Sequence, residues 1–233
     1  MNCAILIEVQ IFRSSEVEQF RSPVYQRPPA GGSRSRWRQL HEKDFFGKGV
    51  CMSRYAVIFP GIGYHVDKPL LYFGKMLARK NGYEIIEVPY GNFKKGIKGN
   101  AEKMKEAFES ALEQSEKLLA DVRWEDAEEI LFISKSIGTI VAGAFAQQKS
   151  LRVRHVWFTP LKETFLFDGS ADAIAFHGTA DPWASDEDIE EGCRQNGIPL
   201  TEIPGANHSL EKGDALTDLA NLPKVMEAVS SWL

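Results

Sequence analysis

Leu131-Phe132-Ile133-Ser134-Lys135-Ser136-Ile137-Gly138-Thr139-Ile140-Val141-Ala142 decides the fold. An apolar, strand-like run enters a corner of small residues and leaves as a helix-like run. A residue at the apex of so sharp a turn projects its side chain away from the backbone. Strand and helix pass close together there, so the positions two before and two after the apex must be small. With Ser136 at the apex, Ser134 and Gly138 meet that demand. The same residues also suit a plain polar turn that caps a helix, so the corner needs support from elsewhere in the chain.

Support comes from two later stretches. Ala173-Ile174-Ala175-Phe176-His177-Gly178-Thr179-Ala180-Asp181 is a second apolar strand ending in a loop with a carboxylate. Leu200-Thr201-Glu202-Ile203-Pro204-Gly205-Ala206-Asn207-His208 is a third strand ending in a loop with a histidine. A hydroxyl, a carboxylate and an imidazole each follow the end of a strand. Serine is a poor nucleophile until a base removes its proton. Histidine titrates near neutrality and suits that task. A carboxylate can orient the imidazole and stabilise its positive form. Asp181 also precedes Pro182 and suits a turn opener. Asp172 and Asp186 compete for the acid role, but neither directly follows the strand end. His177 is a weaker candidate base: it lies at the strand end and suits local packing or hydrogen bonding.

The order Ser136, Asp181, His208 and the strand–turn–helix setting of Ser136 resemble the α/β-hydrolases. From about Tyr55 to the C-terminus the chain is similar to the small forms of that superfamily, among them dienelactone-hydrolase-like proteins. His177-Gly178-Thr179-Ala180-Asp181 resembles the acid signature and Asn207-His208-Ser209 the base signature. Ser134 stands where glycine is commoner, and Lys135 adjoins the nucleophile; both read as substrate-side variation. The resemblance implies catalysis by Ser136, Asp181 and His208 on a small-molecule acyl substrate, without a cofactor. It also assigns one oxyanion donor to the backbone N–H of Ile62, in the loop after the first strand. The other falls to Ile137, the residue after the nucleophile. Pro60 stands where histidine is common in that loop. Lids in these enzymes usually follow the strand after the corner helix. Only Pro160 to Asp172 fills that gap here, which predicts an open site shaded at most by Phe165 and Phe167.

The rest of the chain frames this constellation. Tyr55–Phe59 reads as a buried strand ending at Pro60-Gly61. Asp67 is a candidate cap for the next helix, with Pro69 in its first turn. Leu70, Phe73, Met76 and Leu77 make its apolar stripe, and Asn81-Gly82 can end it. Strands follow at 84–88, 129–133, 153–158, 173–177 and 200–203. Between them lie a helix from about Asn100, with Met104, Ala107, Phe108, Ala111, Leu112, Leu118 and Leu119 on one face, and the corner helix. Ser185 with Asp188 makes a capping box for a helix before the last strand. Leu222, Val225, Met226, Val229, Trp232 and Leu233 mark a final helix. Alternating strands and helices predict an α/β fold: a parallel sheet of about six strands with helices on both faces. In such sheets functional groups gather at the carboxyl ends of strands.

Tyr64, His65 and Trp183 are candidate substrate walls, though each also suits ordinary packing. A nucleotide-binding α/β domain is a rival. Gly61-Ile62-Gly63 follows the first strand, but Val66 occupies the third glycine position of the dinucleotide fingerprint and no acidic ribose partner is placed. No motif supports a metal site on His177, Asp181 and His208. A hydrolase fold kept only for binding is the other alternative.

Composition agrees with one enzyme-sized domain. The chain has 233 residues, 43% hydrophobic and 26% charged, with formal charge −4. That charge gives no reason to expect nucleic acid or an anionic membrane as partner. Cys3, Cys51 and Cys193 are scattered and odd in number, which suits a reducing, cytoplasmic setting. Residues 1–51 differ: they hold 8 Lys and Arg against 5 Asp and Glu, and Arg21 to Arg38 is rich in Arg, Ser, Pro and Gly. This segment is expected to be disordered, or an extension outside the native coding sequence, since Met52-Ser53-Arg54 directly precedes the first strand. The domain is then expected over 52–233.

Overall fold

The computed structural model describes residues 53–97, 100–167 and 172–233. The expectation for residues 1–51 lies outside the described residues. Among the described residues six strands and five helices follow in the order β1 (Ser53–Phe59), α1 (Pro69–Lys80), β2 (Glu84–Glu87), α2 (Ala101–Leu118), β3 (Ala127–Lys135), α3 (Ile137–Gln148), β4 (Arg154–Phe158), β5 (Asp172–Gly178), α4 (Asp186–Asn196), β6 (Leu200–Ile203) and α5 (Ala215–Trp232). All strand pairings are parallel, in the order β2-β1-β3-β4-β5-β6. The expected parallel α/β sheet is therefore present.

Burial on both faces explains the continuous apolar runs. Along β1, Val57 and Phe59 join a core cluster with α2, α3 and α4, while Ala56 and Ile58 join another with α1 and α5. Alternate side chains point to opposite faces, so each strand feeds both layers. His155 in β4 lies edge-on to Phe132, and neither of its ring nitrogens meets a hydrogen-bond partner. The chain winds from β1 to β2 on one side, then returns to place β3 on the other side of β1. The carboxyl ends of β1 and β3 thus flank a topological switch point, where crevices form in sheets of this kind.

Several local expectations hold and others shift. Asn100 caps α2 by accepting from the Lys103 N–H, and Ser185 caps α4 by accepting from the Asp188 N–H. Asn81 ends α1, and Gly82 follows with φ +84°. The start of α1 differs. Its N-cap is Lys68, with no side-chain cap bond, and the Asp67 carboxylate instead accepts from Lys75 Nζ at 3.0 Å.

The apolar stripe of α1 is also rotated. Leu70, Leu71, Gly74, Lys75 and Ala78 are buried, whereas Phe73 and Met76 are each 42% exposed. A side chain at Gly74 would stand 3.3 Å from Ile133 Cγ2. Close approach of helix to sheet selects the small residues for the contact line and turns the large ones outward. On α2, Leu118 is exposed and Ser115 is buried in its place, its hydroxyl donating to the Ala111 carbonyl.

Candidate active site

The corner after β3 has the strain that its position demands. Ser136 has φ 56° and ψ −127°, a region that non-glycine residues rarely adopt and that surrounding structure must impose. Its N–H donates to the Phe158 carbonyl. A Cβ on Gly138 would lie 2.4 Å from the Phe59 carbonyl oxygen, so only glycine fits two positions after the apex. Ser134, two positions before it, is fully buried. Thr139, in the first turn of α3, donates its hydroxyl to the Ser136 carbonyl and meets the Thr164 hydroxyl at 2.6 Å.

Three side chains from three strand ends meet here. Ser136 Oγ lies 2.7 Å from His208 Nε2, and His208 Nδ1 lies 2.6 Å from Asp181 Oδ2. A carboxylate only accepts, so Nδ1–H donates to Asp181 and Nε2 is left to accept the serine proton. The other Asp181 oxygen accepts from the Trp183 N–H at 2.9 Å. The Asp181 side chain is fully buried and that of His208 is 17% exposed. Burial lowers the His208 pKa, outweighing the hydrogen bond that His208 donates to Asp181, which would raise it. The imidazole is therefore held in the neutral form that a base needs.

The loops supporting this line are closely fitted. A Cβ on Gly178, at the end of β5, would lie 2.4 Å from the Ala206 carbonyl oxygen. The acid-bearing and histidine-bearing loops can touch only because that position is bare. The competing residues are engaged elsewhere. His177 is fully buried, and its Nε2 lies 2.8 Å from Asp186 Oδ1. Asp172, at the amino end of β5, faces Arg154 at 3.4 Å.

The loop after β1 passes directly beside the serine. A Cβ on Gly61 would lie 3.3 Å from Ser136 Cβ. Gly61 and Tyr64 exchange two backbone hydrogen bonds of 3.1 Å, closing a tight turn over Ile62 and Gly63. The Tyr90 hydroxyl donates to the Pro60 carbonyl and fixes the turn from below. Ile137 opens α3, so its N–H is one of the helix's unpaired amino-terminal donors.

The candidate walls separate. Trp183 is 38% exposed, with its ring centroid 5.8 Å from that of His208. His65 is exposed and its Nδ1 accepts from the Asp67 N–H at 3.3 Å. Tyr64 is buried: its hydroxyl accepts from the Leu70 N–H at the start of α1, and burial pushes its pKa up to about 12. Tyr64 is thus a core residue beneath the site.

Lys135 and Ser134 are not substrate-side residues, which corrects the expectation from sequence. Both are buried in the sheet. Lys135 Nζ donates to the His208 carbonyl at 2.7 Å and to Thr159 Oγ1 at 2.8 Å. The expected shading by Phe165 and Phe167 is likewise replaced by packing. Phe165 abuts Trp157 and the α4 backbone at Gly192; Phe167 abuts Phe108 and the α3 backbone at Gly143. The described part of their segment holds a single 3-10 turn, Lys162–Leu166. Sequence reasoning missed Thr159, a non-glycine residue at φ 46° just past β4. Its one signal was its place at a strand end.

No protein-family model matches the chain, and no curated protein matches it. Solved structures do. An α/β serine hydrolase homologue from Coxiella burnetii superposes with TM-score 0.57 at 14% identity, over 78% of this chain and 85% of that one. A Pyrococcus furiosus esterase gives TM-score 0.53 at 14% identity, over 79% and 84%. A protein of unknown function from Agrobacterium tumefaciens, described as an α/β-hydrolase, gives 0.55 at 17% identity, over 78% and 84%. The fold is that of the α/β-hydrolases. Among the described residues no helix is long and apolar enough to cross a membrane, and no cluster of three His, Cys, Asp or Glu side chains could hold a metal ion.

Proposed function

We propose that this chain is a serine hydrolase that cleaves a carboxylic ester or thioester through an acyl-enzyme. One observation carries the reading: the unbroken line Ser136 Oγ, His208 Nε2, His208 Nδ1, Asp181 Oδ2, with separations of 2.7 and 2.6 Å. Hydrolase and esterase structures among the fold's relatives agree with it.

In this reading Ser136 Oγ attacks the acyl carbon while its proton passes to His208 Nε2. Asp181 stabilises the imidazolium. The carbonyl oxygen gains negative charge and takes hydrogen bonds from the N–H groups of Ile137 and Ile62. His208 then returns the proton to the leaving alcohol or thiol as its bond to the acyl carbon breaks. Water repeats the sequence on the acyl-enzyme and releases the acid. In this reading the exposed side chains of Trp183, which lies against His208, and Ile62 offer apolar surface to a small acyl group. The scattered cysteines fit a cytoplasmic setting, and burial pushes the thiol of Cys193 up to about 12, leaving it inert.

Labelling with a fluorophosphonate, followed by p-nitrophenyl esters of increasing acyl length, tests the proposal. Ser136 should carry the adduct, and short chains should turn over fastest, without a jump in rate at micelle formation. An unlabelled Ser136 in folded protein, with no ester cleaved, would favour a fold kept for binding alone.

A further inference from the structure

Lys135 is one residue from the nucleophile, yet its side chain runs into the interior. Among the described residues no carboxylate makes ion-pair contact with it. Its ammonium sits between the Thr159 hydroxyl, the His208 carbonyl and the face of the Tyr64 ring, 5.0 Å from the ring centre. Thr159 Oγ1 also donates to the His208 carbonyl at 3.1 Å. The ends of β3 and β4 thus converge on one backbone oxygen of the histidine loop. A buried cation without a carboxylate partner is costly and calls for a function.

We propose, resting on the hydrolase reading above, that Lys135 is a positioning residue for the base: through the His208 carbonyl and the Thr159 hydroxyl it pins the histidine loop to the sheet, and its charge governs how readily the imidazole takes a proton. The pinning follows from geometry. His208 lies in a loop, and its ring must stay in line with Ser136 and Asp181. The donors on its carbonyl come from two rigid strand ends.

The charge effect follows from the surroundings. The charged and titratable groups facing this pair are Asp181 from the β5–α4 loop, Glu211 from the loop after β6, Tyr64 from the β1–α1 loop and His177 from β5. Asp181 and Glu211 favour the ammonium, but burial dominates and lowers the Lys135 pKa to about 7. The lysine charge in turn holds the His208 pKa down. A neutral amine keeps two N–H groups, enough for both acceptors. Losing the proton therefore relieves the repulsion without releasing the loop.

Lys135→Met, Thr159→Val and Thr159→Ser test this. Lys135→Met should lower kcat by roughly 10–100-fold with KM nearly unchanged, since small misplacements of a reacting group cost about that much. It should also move the acid limb of kcat/KM, and the His208 titration followed by NMR, to higher pH. Thr159→Val should lower kcat less and leave that limb in place, and Thr159→Ser should restore kcat. Unchanged kcat in Lys135→Met, or lowered kcat with an unmoved His208 titration, would overturn the proposal. If Lys135→Met fails to fold, Thr159→Val decides: a fall in kcat supports the pinning and an unchanged kcat refutes it. The His208 titration needs no turnover. A wild-type protein that cleaves no ester, with the titration shift intact, would sink the hydrolase reading and not the link between Lys135 and His208.

Discussion

The two ends of the same sheet treat charge in opposite ways. At the amino end, Glu129 accepts from Arg54 Nε at 2.9 Å and from Arg154 Nη1 at 2.8 Å. Arg154 also donates to the Trp232 carbonyl at 2.7 Å, and the two guanidiniums lie over the rings of Tyr83 and Trp232. Burial alone would raise the Glu129 pKa; the neighbouring Tyr83 hydroxyl and the hydrogen bonds from Arg154 and Arg54 outweigh it and hold it at about 2. At the carboxyl end the Lys135 ammonium is buried, and among the described residues no carboxylate pairs with it. Ser136, Thr159 and Leu210 all have positive φ there. One end ties the first turns of β1, β3 and β4 to α5. The other stores strain and unbalanced charge around the proposed chemistry, a cost that functional sites characteristically carry.

If that division is right, changes at the two ends should separate activity from stability. Ser136→Ala has the largest expected effect. Turnover should fall by at least about 10⁴-fold, as removal of a triad serine does elsewhere. Fluorophosphonate labelling should vanish while the melting temperature stays within about 2 °C, because the change removes only a half-buried hydroxyl. An adduct still formed on Ser134 would move the apex of the corner.

Asp181→Asn comes next. It keeps size and the bond from the Trp183 N–H but favours the wrong imidazole tautomer, at a cost of roughly 10²–10⁴ in kcat. Asp186→Asn, at a carboxylate that meets His177 rather than His208, should cost less than about tenfold on that argument. A mild Asp181→Asn beside a crippling Asp186→Asn would transfer the acid role to the His177 side. At the opposite end Glu129→Gln should leave ester turnover unchanged and lower stability by about 2 kcal/mol, the scale of lost charged hydrogen bonds. Urea midpoints of the two proteins would measure it. A loss of turnover without a loss of stability would break the comparison.

The sheet was legible because strands buried on both faces read as unbroken apolar runs, as at Tyr55–Phe59 and Leu131–Ile133. The corner was legible because strand, small-residue apex and helix follow one another without a break, although the group that excludes a side chain at Gly138 is the Phe59 carbonyl, remote in sequence. The meeting of Ser136, Asp181 and His208 could be anticipated from strand ends alone, since a parallel sheet collects them at one edge. Less local facts were not legible. Lys135 reads as exposed because lysines usually are; its burial depends on Thr159 and the His208 carbonyl, remote in sequence. Phe73 and Met76 fit the helical period as well as Leu71 and Ala78 do. The choice between these faces is made by the closeness of Gly74 to Ile133, a distance no periodicity contains. Phe165 and Phe167 went inward because Gly143 and Gly192 leave gaps on α3 and α4.

The orphaned ring of His155 gives the molecule a built-in weakness toward acid. Burial lowers its pKa from 6.5 to about 3. The unfolded chain takes up that proton near 6.5, and the folded core refuses it until about 3. The stability tied to the neutral ring is complete above about 6.5 and drains as acidity increases through that interval. The slope reaches about 1.4 kcal/mol per pH unit. His155→Phe fills the same place against Phe132 with a ring that cannot be protonated. Its acid-unfolding midpoint, followed by far-UV circular dichroism, should lie at lower pH than that of the parent. In mildly acidic solution the parent then loses stability through the middle of its sheet and not through the edge where its serine stands.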